Sequence, residues 1–355
     1  MSGWWLPKSW DVSACWPAAA RDGADAAGFA ARLAVPVEPS VSILPEELTH
    51  SDAVATHLAS PAITAFLAQV CDGSPYLRGL CLRDPSRLAA LLRDGPEMAV
   101  GGARAALETA MIAAADFSSV SRALRVFKCD VALATALADI GGLWSLEAVT
   151  GTLSDAADTA IAAALEFIFA KAHSDGRWLG DAGADGYAAT SGMIVLGMGK
   201  YGARELNYSS DVDLIVFFDR EKAQVRDGLD AQQFFVRVVR DLTKLIQEQT
   251  SDGYVFRVDL RLRPDPGSTQ VAISSTAALI YYETYGQNWE RAAFIKARPV
   301  AGDFSSADAL LNELEAYVWR KYFDFAAVSD VHAMKRQINT FKGFRKIVVR
   351  GHDIK

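Results

Sequence analysis

Two strand-like runs, Met193–Met198 and Asp211–Phe218, bracket the segment Gly197-Met-Gly-Lys-Tyr-Gly202, and their separation limits the fold. Gly197, Gly199 and Gly202 spell G-x-G-x-x-G, the spacing that opens a dinucleotide-binding βαβ unit. Such a unit needs a long crossover helix before its next strand. Here the next strand arrives about nine residues after Gly202, which leaves room only for a short helix over Tyr201–Leu206. No Ser or Thr follows Lys200, so a Walker A loop is excluded as well. What remains is a glycine turn whose backbone N–H groups and helix N-terminus can meet phosphate oxygens.

The second run opens on two carboxylates. Strand alternation puts Asp211 and Asp213 on one face, with Val212 and Leu214 on the other. Two carboxylates about 4 Å apart repel by roughly 4 kcal/mol at an effective dielectric near ~20, so the pair asks for a cation. Ser209 and Ser210 precede them and can donate to a phosphate or to the carboxylates. Further on, Tyr254–Arg263 alternates as a strand, with Asp259 on a face otherwise lined by Arg257, Arg261 and Arg263. Three carboxylates suit Mg²⁺, which takes oxygen ligands and keeps positions for waters or phosphates. The arginines on the same face suit phosphate contact. Glu205 reads as a surface or capping group, and Tyr281, Tyr282 and Trp289 read as core, with Arg291 or Lys296 candidates to reach the site.

Around this segment the period of the sequence changes. Residues 1–50 are irregular, with prolines at 7, 17, 36, 39 and 45. From Asp52 to Ala172 the chain is rich in alanine and leucine at helical spacing, as in Val120, Leu124, Phe127 and Val131, or Ile161, Leu165 and Ile168. Pro85 marks a helix start before Leu88, Leu91 and Leu92. Ser174–Ser191 reads as a linker. Beyond the aspartates, Asp227–Thr250 carries a helical apolar stripe, Pro264-Asp-Pro-Gly267 stops the strand before it, and Val271–Ile273 is a candidate short strand. Helices are expected over Thr276–Tyr285, Trp289–Ala297, Ala307–Tyr322 and Val331–Phe344. The expected class is α+β: a small mixed sheet with helices over 186–303, a mainly helical region over 1–185, and the start of a further helical domain over 304–355.

Charge and cysteines narrow the partners. Residues 1–190 carry a net −9, residues 191–300 are neutral and residues 301–355 carry +2, with no long Lys or Arg run. A nucleic-acid substrate would call for a basic footprint, so a protein or small-molecule substrate is favoured. Cys15, Cys71, Cys81 and Cys129 form no C-x-x-C pair, which points away from zinc and toward reduced thiols in the cytoplasm. No signal-peptide pattern opens the chain, and no apolar stretch approaches the ~20 residues of a membrane span.

A glycine turn, D-x-D on a strand and a third aspartate on a later strand resemble the DNA polymerase beta-like nucleotidyltransferase superfamily. Within it, the chain is similar to the glutamine synthetase adenylyltransferase/adenylyl-removing enzymes. The residues that carry this are Gly197-Met-Gly-Lys-Tyr-Gly-Ala-Arg-Glu-Leu-Asn-Tyr-Ser-Ser-Asp-Val-Asp-Leu214 and Val258-Asp-Leu-Arg-Leu-Arg-Pro264. Tyr281-Tyr282, Trp289-Glu-Arg291, Ile295-Lys-Ala-Arg298, Ala301-Gly-Asp303, Ser74-Pro-Tyr-Leu77 and Arg83-Asp-Pro85 extend it from about residue 70 to the end. Ala203 stands where some members have another glycine, which suggests that this position does not need φ > 0. Gly351-His-Asp-Ile-Lys355 stops where the family continues, so the chain looks like a truncated first half.

The resemblance implies a polymerase-beta-like sheet and a deadenylylating half. Its activity would be phosphorolysis of AMP–tyrosine on adenylylated glutamine synthetase, releasing ADP, with the PII signal protein as regulator and ATP and other adenine nucleotides as ligands. It assigns Asp211, Asp213 and Asp259 to two Mg²⁺ ions. Gly197, Gly199, Lys200, Ser209, Ser210, Arg257, Arg261 and Arg263 go to nucleotide and phosphate binding. The residues alone leave open the opposite direction, an ATP-dependent adenylyltransferase acting on a protein tyrosine. They also leave open a non-catalytic module that docks glutamine synthetase or PII.

Overall fold

The computed structural model describes residues 29–33, 42–319 and 336. Short helices at Phe29–Arg32, Glu46–Thr49 and Asp52–Leu58 precede α1 (Pro61–Gly73), α2 (Pro75–Arg83), α3 (Pro85–Ala113), α4 (Phe117–Ile140) and α5 (Leu146–Ser174). Local chemistry sets their ends. Pro75 and Pro85 sit in the first turns of α2 and α3, where the missing N–H costs nothing. Ser74 and Asp84 accept the N–H groups of Leu77 and Arg87 at 3.3 and 3.1 Å. Asp116 and Ser119 close a reciprocal capping box on α4, and α3 kinks at Gly95, where φ is 85°.

The apolar spacing read from the sequence is the buried face of these helices. Leu88, Leu91 and Leu92 join one core with α1 and α2. Val120, Leu124, Phe127, Val131, Ile161, Leu165 and Ile168 join a larger core that runs on into the sheet. Among the described residues no single helix is long and apolar enough to cross a membrane.

Then come β1 (Met193–Gly197), α6 (Gly199–Gly202), β2 (Val212–Phe218), α7 (Ala231–Gln247), β3 (Val258–Asp259) and β4 (Ile273–Ser274). The described chain ends with α8 (Ser275–Thr284), α9 (Asn288–Phe294), β5 (Arg298–Gly302) and α10 (Phe304–Val318). The sheet order is β3-β2-β1-β5, with β4 also against β2. β1 is antiparallel to both β2 and β5, whereas β3 and β4 run parallel to β2. Pro299, which has no N–H to give, lies in edge strand β5. This is the mixed α+β class expected.

Alternation along β2 divides the sheet into two faces. Val212, Leu214, Val216 and Phe218 pack with α4, α5 and α7, where Phe218 stacks on Phe235 at 4.4 Å. Ile215 and Phe217 pack on the other face with Ala278, Tyr282, Leu310 and Leu314 of α8 and α10. Trp178 is fully buried against Phe169, Phe234 and Phe235, which ties the linker into the first of these cores.

Three expectations need correction. The alternating stretch Tyr254–Arg263 is not one strand: ladder pairing covers Val258–Asp259 alone. Before it, the N–H groups of Val255 and Phe256 turn to the Ile246 carbonyl at the end of α7 (2.9 and 3.2 Å), and after it the chain turns toward Pro264. Trp289 is partly exposed rather than core, while Tyr282 is buried as expected. The short helix after the glycine turn covers Gly199–Gly202 instead of Tyr201–Leu206. The helix expected over Val331–Phe344 lies outside the described residues apart from Arg336.

Candidate active site

Parallel pairing of β2 with β3 sets Val212 beside Val258 and Asp213 beside Asp259. Two carboxylates separated by 46 residues of sequence thus become lateral neighbours, and Asp211 lies two residues before Asp213 on the same side of the strand. That side is the one Ile215 and Phe217 share with α8 and α10. The glycine turn closes over the pair from β1. The Met198 N–H donates to the Asp213 carbonyl at 2.9 Å, and a Cβ on Gly199 would come within 3.0 Å of Asp213 Oδ2. Gly199 has φ +56° and caps the sharp entry into α6. Gly202 can carry no side chain, because a Cβ there would lie 1.9 Å from the Lys296 carbonyl oxygen.

The three carboxylates differ in their partners. Arg257 pairs with Asp211 through Nε, and its Nη2 donates to the Ser209 carbonyl at 2.6 Å. Arg261 grips Asp259 by its backbone N–H at 2.8 Å, by Nε at 2.9 and 3.0 Å, and by Nη2 at 2.5 Å. That guanidinium bond holds the Asp259 carboxyl below its ordinary range. The Asp213 carboxylate accepts no hydrogen bond and forms no ion pair among the described residues. Burial, then the charges of Asp259 and Asp211, push its carboxyl up to about 6.

The residues expected to face phosphate differ in where the structure places them. Lys200 is exposed on α6 and forms no ion pair among the described residues. Ser210 spends its hydroxyl on Asn207 Oδ1 at 2.7 Å, and the same oxygen takes the Ser209 N–H at 3.3 Å. Asn207 therefore shapes this loop, although residue spacing alone does not single it out. Arg263 is not brought to the aspartates. The turn after Leu260 directs it to the carbonyls of Leu260 and Pro266 at 2.7 and 2.8 Å. Glu205 stays at the surface and pairs with Lys296 at 2.7 Å, so Lys296 is also spent outside the carboxylate cluster.

A second layer holds the glycine turn. Tyr201 donates its hydroxyl to Asp158 Oδ1 at 2.5 Å, and Arg298 forks onto the same carboxylate at 2.7 and 3.0 Å. Asp158 is almost fully buried on α5. Arg204, at an unusual φ of 60°, reaches Asp155 one turn earlier on that helix at 2.6 Å. The helical region thus positions the loop that carries Lys200. Two aspartates three apart in an alanine-rich helix were the signal for this, since a buried carboxylate needs a partner.

Among the described residues no three acidic, histidine or cysteine side chains converge closely enough to cage a metal ion. Asp211 and Asp259 are instead turned to their arginines. The donor chemistry still fits a hard divalent cation. Asp213 and Asp259 are adjacent oxygen ligands, and a cation between them relieves the repulsion that raises Asp213.

Residues 64–313 match the family model described as glutamate-ammonia ligase adenylyltransferase. The chain belongs to that family. A bifunctional glutamine synthetase adenylyltransferase/adenylyl-removing enzyme from Xanthobacter autotrophicus is 50% identical over 297 residues, covering 83% of this chain and 30% of the relative. The protein of the same description from Bradyrhizobium diazoefficiens is 48% identical over 298 residues, 84% of this chain and 30% of its own length. That from Rhizobium meliloti is 46% identical over 323 residues, 89% of this chain and 33% of its own length. The chain therefore spans about a third of the length of these adenylyltransferase-family relatives. The matched region contains the glycine turn, all three aspartates and the Asp158–Tyr201–Arg298 network.

Proposed function

We propose that this chain is the deadenylylating unit of a bifunctional adenylyltransferase, acting on adenylylated glutamine synthetase. The observation that carries the proposal is the lateral pairing of Asp213 with Asp259 beneath the Gly199 turn. An attacking phosphate oxygen forms a bond to the phosphorus of AMP–tyrosine, and the bond from that phosphorus to the tyrosine oxygen breaks. ADP leaves, and the phenolate takes up a proton to restore tyrosine.

Phosphate is already anionic near neutrality, so no strong general base is required. Adding AMP to a tyrosine of pKa about 10 would require one. The obstacle is bringing two anions together in line. Arg257 and Arg261 answer it, because each is exposed at its guanidinium and exchangeable onto a phosphate oxygen. The amides of the Gly197–Gly202 turn and Lys200 orient the incoming phosphate. Asp211, Asp213 and Asp259 would hold Mg²⁺, which supplies charge neutralisation and alignment of phosphate oxygens when bound. Naming PII as regulator and the cytoplasm as location rests on the family resemblance.

Adenylylated glutamine synthetase, Mg²⁺ and phosphate incubated with this chain should yield ADP and unmodified tyrosine. The same chain with ATP and unmodified glutamine synthetase should transfer no AMP. AMP transfer without ADP release would reverse the assigned direction. Neither reaction from a folded chain would overturn the proposal.

A further inference from the structure

On the opposite face of the sheet from the aspartates, α2, α4 and the start of α5 enclose a cavity of about 450 Å³ with the loops at 207–209 and 254–256. Its inner wall includes Val131 and Leu153, which belong to the core on the Val212–Leu214 side of β2. Asp213 points with Ile215 and Phe217 to the other side. The cavity is thus separate from the carboxylate cluster, yet it borders Ser209, whose carbonyl is held by the arginine paired with Asp211.

Its chemistry is bipolar and aromatic. At one end Lys128 donates to Tyr76 Oη at 2.6 Å and lies 4.7 Å from the Tyr76 ring centre and 5.8 Å from that of Tyr254. Lys128 has no carboxylate partner among the described residues, and burial lowers the basicity of its ammonium. At the other end is the Asp139 carboxylate, which accepts the Tyr208 hydroxyl at 2.9 Å. Tyr208, Tyr254 and Phe256 supply flat apolar walls between them. Lys128 and Asp139 are eleven residues apart on α4, three turns on one face, about 16 Å along the axis.

We propose that this cavity binds a purine mononucleotide as an effector, its phosphate on Lys128 and the N–H donors of its base edge toward Asp139. A zwitterionic amino acid carries the same two charges but is too short to bridge three helical turns. A purine base offers a flat face for stacking on these aromatic walls. Adenine offers its N6 amine to the Asp139 carboxylate and guanine its N1–H and N2 amine, so a purine of either kind fits this end of the cavity. Occupancy would brace the Asn207–Ser209 loop and the Tyr254–Phe256 segment, the two stretches that fix Arg257 beside Asp211. That coupling to the site, unlike binding itself, rests on the reaction proposed above.

The test is photolabelling of the full chain with 8-azido-AMP in EDTA, with equilibrium dialysis of AMP and GMP alongside. Labelled peptides should contain Tyr208 or Tyr254. Lys128→Gln should weaken AMP and GMP each at least tenfold, and Tyr76→Phe should bind AMP within threefold of the parent. Asp213→Asn should bind AMP within twofold of the parent. Labelling confined to Gly197–Gly202, Asp211–Asp213 or Asp259–Arg263 would overturn the inference. So would loss of AMP binding in Asp213→Asn, or unchanged binding in a folded Lys128→Gln. Release of ADP with no label in the cavity would remove the effector site and leave the reaction standing. A labelled cavity without ADP release would do the reverse.

Discussion

Asp213 is the residue on which charge is least compensated. Its folded pKa lies above the ordinary aspartate value of 3.8, at about 6, because it is half-buried beside two other carboxylates. The sign follows from proton linkage: the folded state binds the proton more tightly, so this group favours folding below pH 4 and disfavours it as pH rises through 6. Asp213→Asn should therefore raise the melting temperature of the metal-free protein at pH 7.5 by about 1–2 °C and leave it unchanged at pH 4. Solvent screening of a half-exposed group keeps the gain near ~1 kcal/mol or below. Adding Mg²⁺ at pH 7.5 should stabilise the parent and not the variant. A variant less stable than the parent at pH 7.5 without metal would show that Asp213 is held by a partner. The same substitution should abolish phosphate-dependent ADP release, since the remaining pair cannot hold the reacting anions. The D-x-D spacing made Asp211 and Asp213 legible in the sequence. The sequence does not show that Asp213 would stand unpaired while Arg257 and Arg261 took its neighbours, because those pairings depend on where a short strand ends.

At the scale of elements, the helices were the most legible part, since α3, α4 and α5 follow from capping residues and apolar period. Over Tyr254–Arg263 the ladder is shorter than the alternation, because alternation records which side chains are buried. It does not record which N–H groups find a strand partner. The glycine turn shows the same distinction at finer grain. Ala203 has φ −78° and is at ease with a side chain, as its replacement of a glycine suggested, whereas Gly202 faces two backbone carbonyl oxygens. Ala203→Gly should cost about 0.5–1 kcal/mol through the unfolded chain and leave the site intact. Gly202→Ala should cost 3 kcal/mol or more on the order expected for severe overpacking, because backbone atoms cannot rotate away. Denaturant midpoints of the two variants separate these outcomes, and equal losses would mean that α6 is free to shift.

At the scale of the whole molecule, the helical region and the sheet are joined through a cation that sequence reading passed over. Arg125 of α4 is fully buried, and among the described residues no carboxylate forms an ion pair with it, although the charges of Glu248 and Asp252 act on it. Its guanidinium donates to the carbonyls of Ser121, Leu245 and Gly253 at 2.8, 3.1 and 2.7 Å, to the Ser121 hydroxyl at 2.6 Å, and to the Glu248 carbonyl. Leu245 lies in the last turn of α7 and Glu248 just past it, so the arginine caps the negative end of that helix dipole and satisfies carbonyls the helix leaves open. From there the chain runs directly through Phe256 and Arg257 into β3, whose first pairing is the Val212 N–H on the Arg257 carbonyl at 2.8 Å. Arg125 therefore fixes, through twelve residues, where Asp259 stands beside Asp213. Arg125→Met keeps most of the side-chain volume and removes the donors, so the Leu245 and Glu248 carbonyls lose the guanidinium that caps them. The expected cost is about 3 kcal/mol. Because the loss falls at the seam, hydrogen exchange should quicken first over 246–259, ahead of α1 and α2. Mg²⁺ affinity should fall with it, although Arg125 lies outside the carboxylate cluster. Loss of stability with unchanged exchange at 246–259 and unchanged Mg²⁺ affinity would make Arg125 an ordinary packing residue and break the link drawn between the helical region and the site.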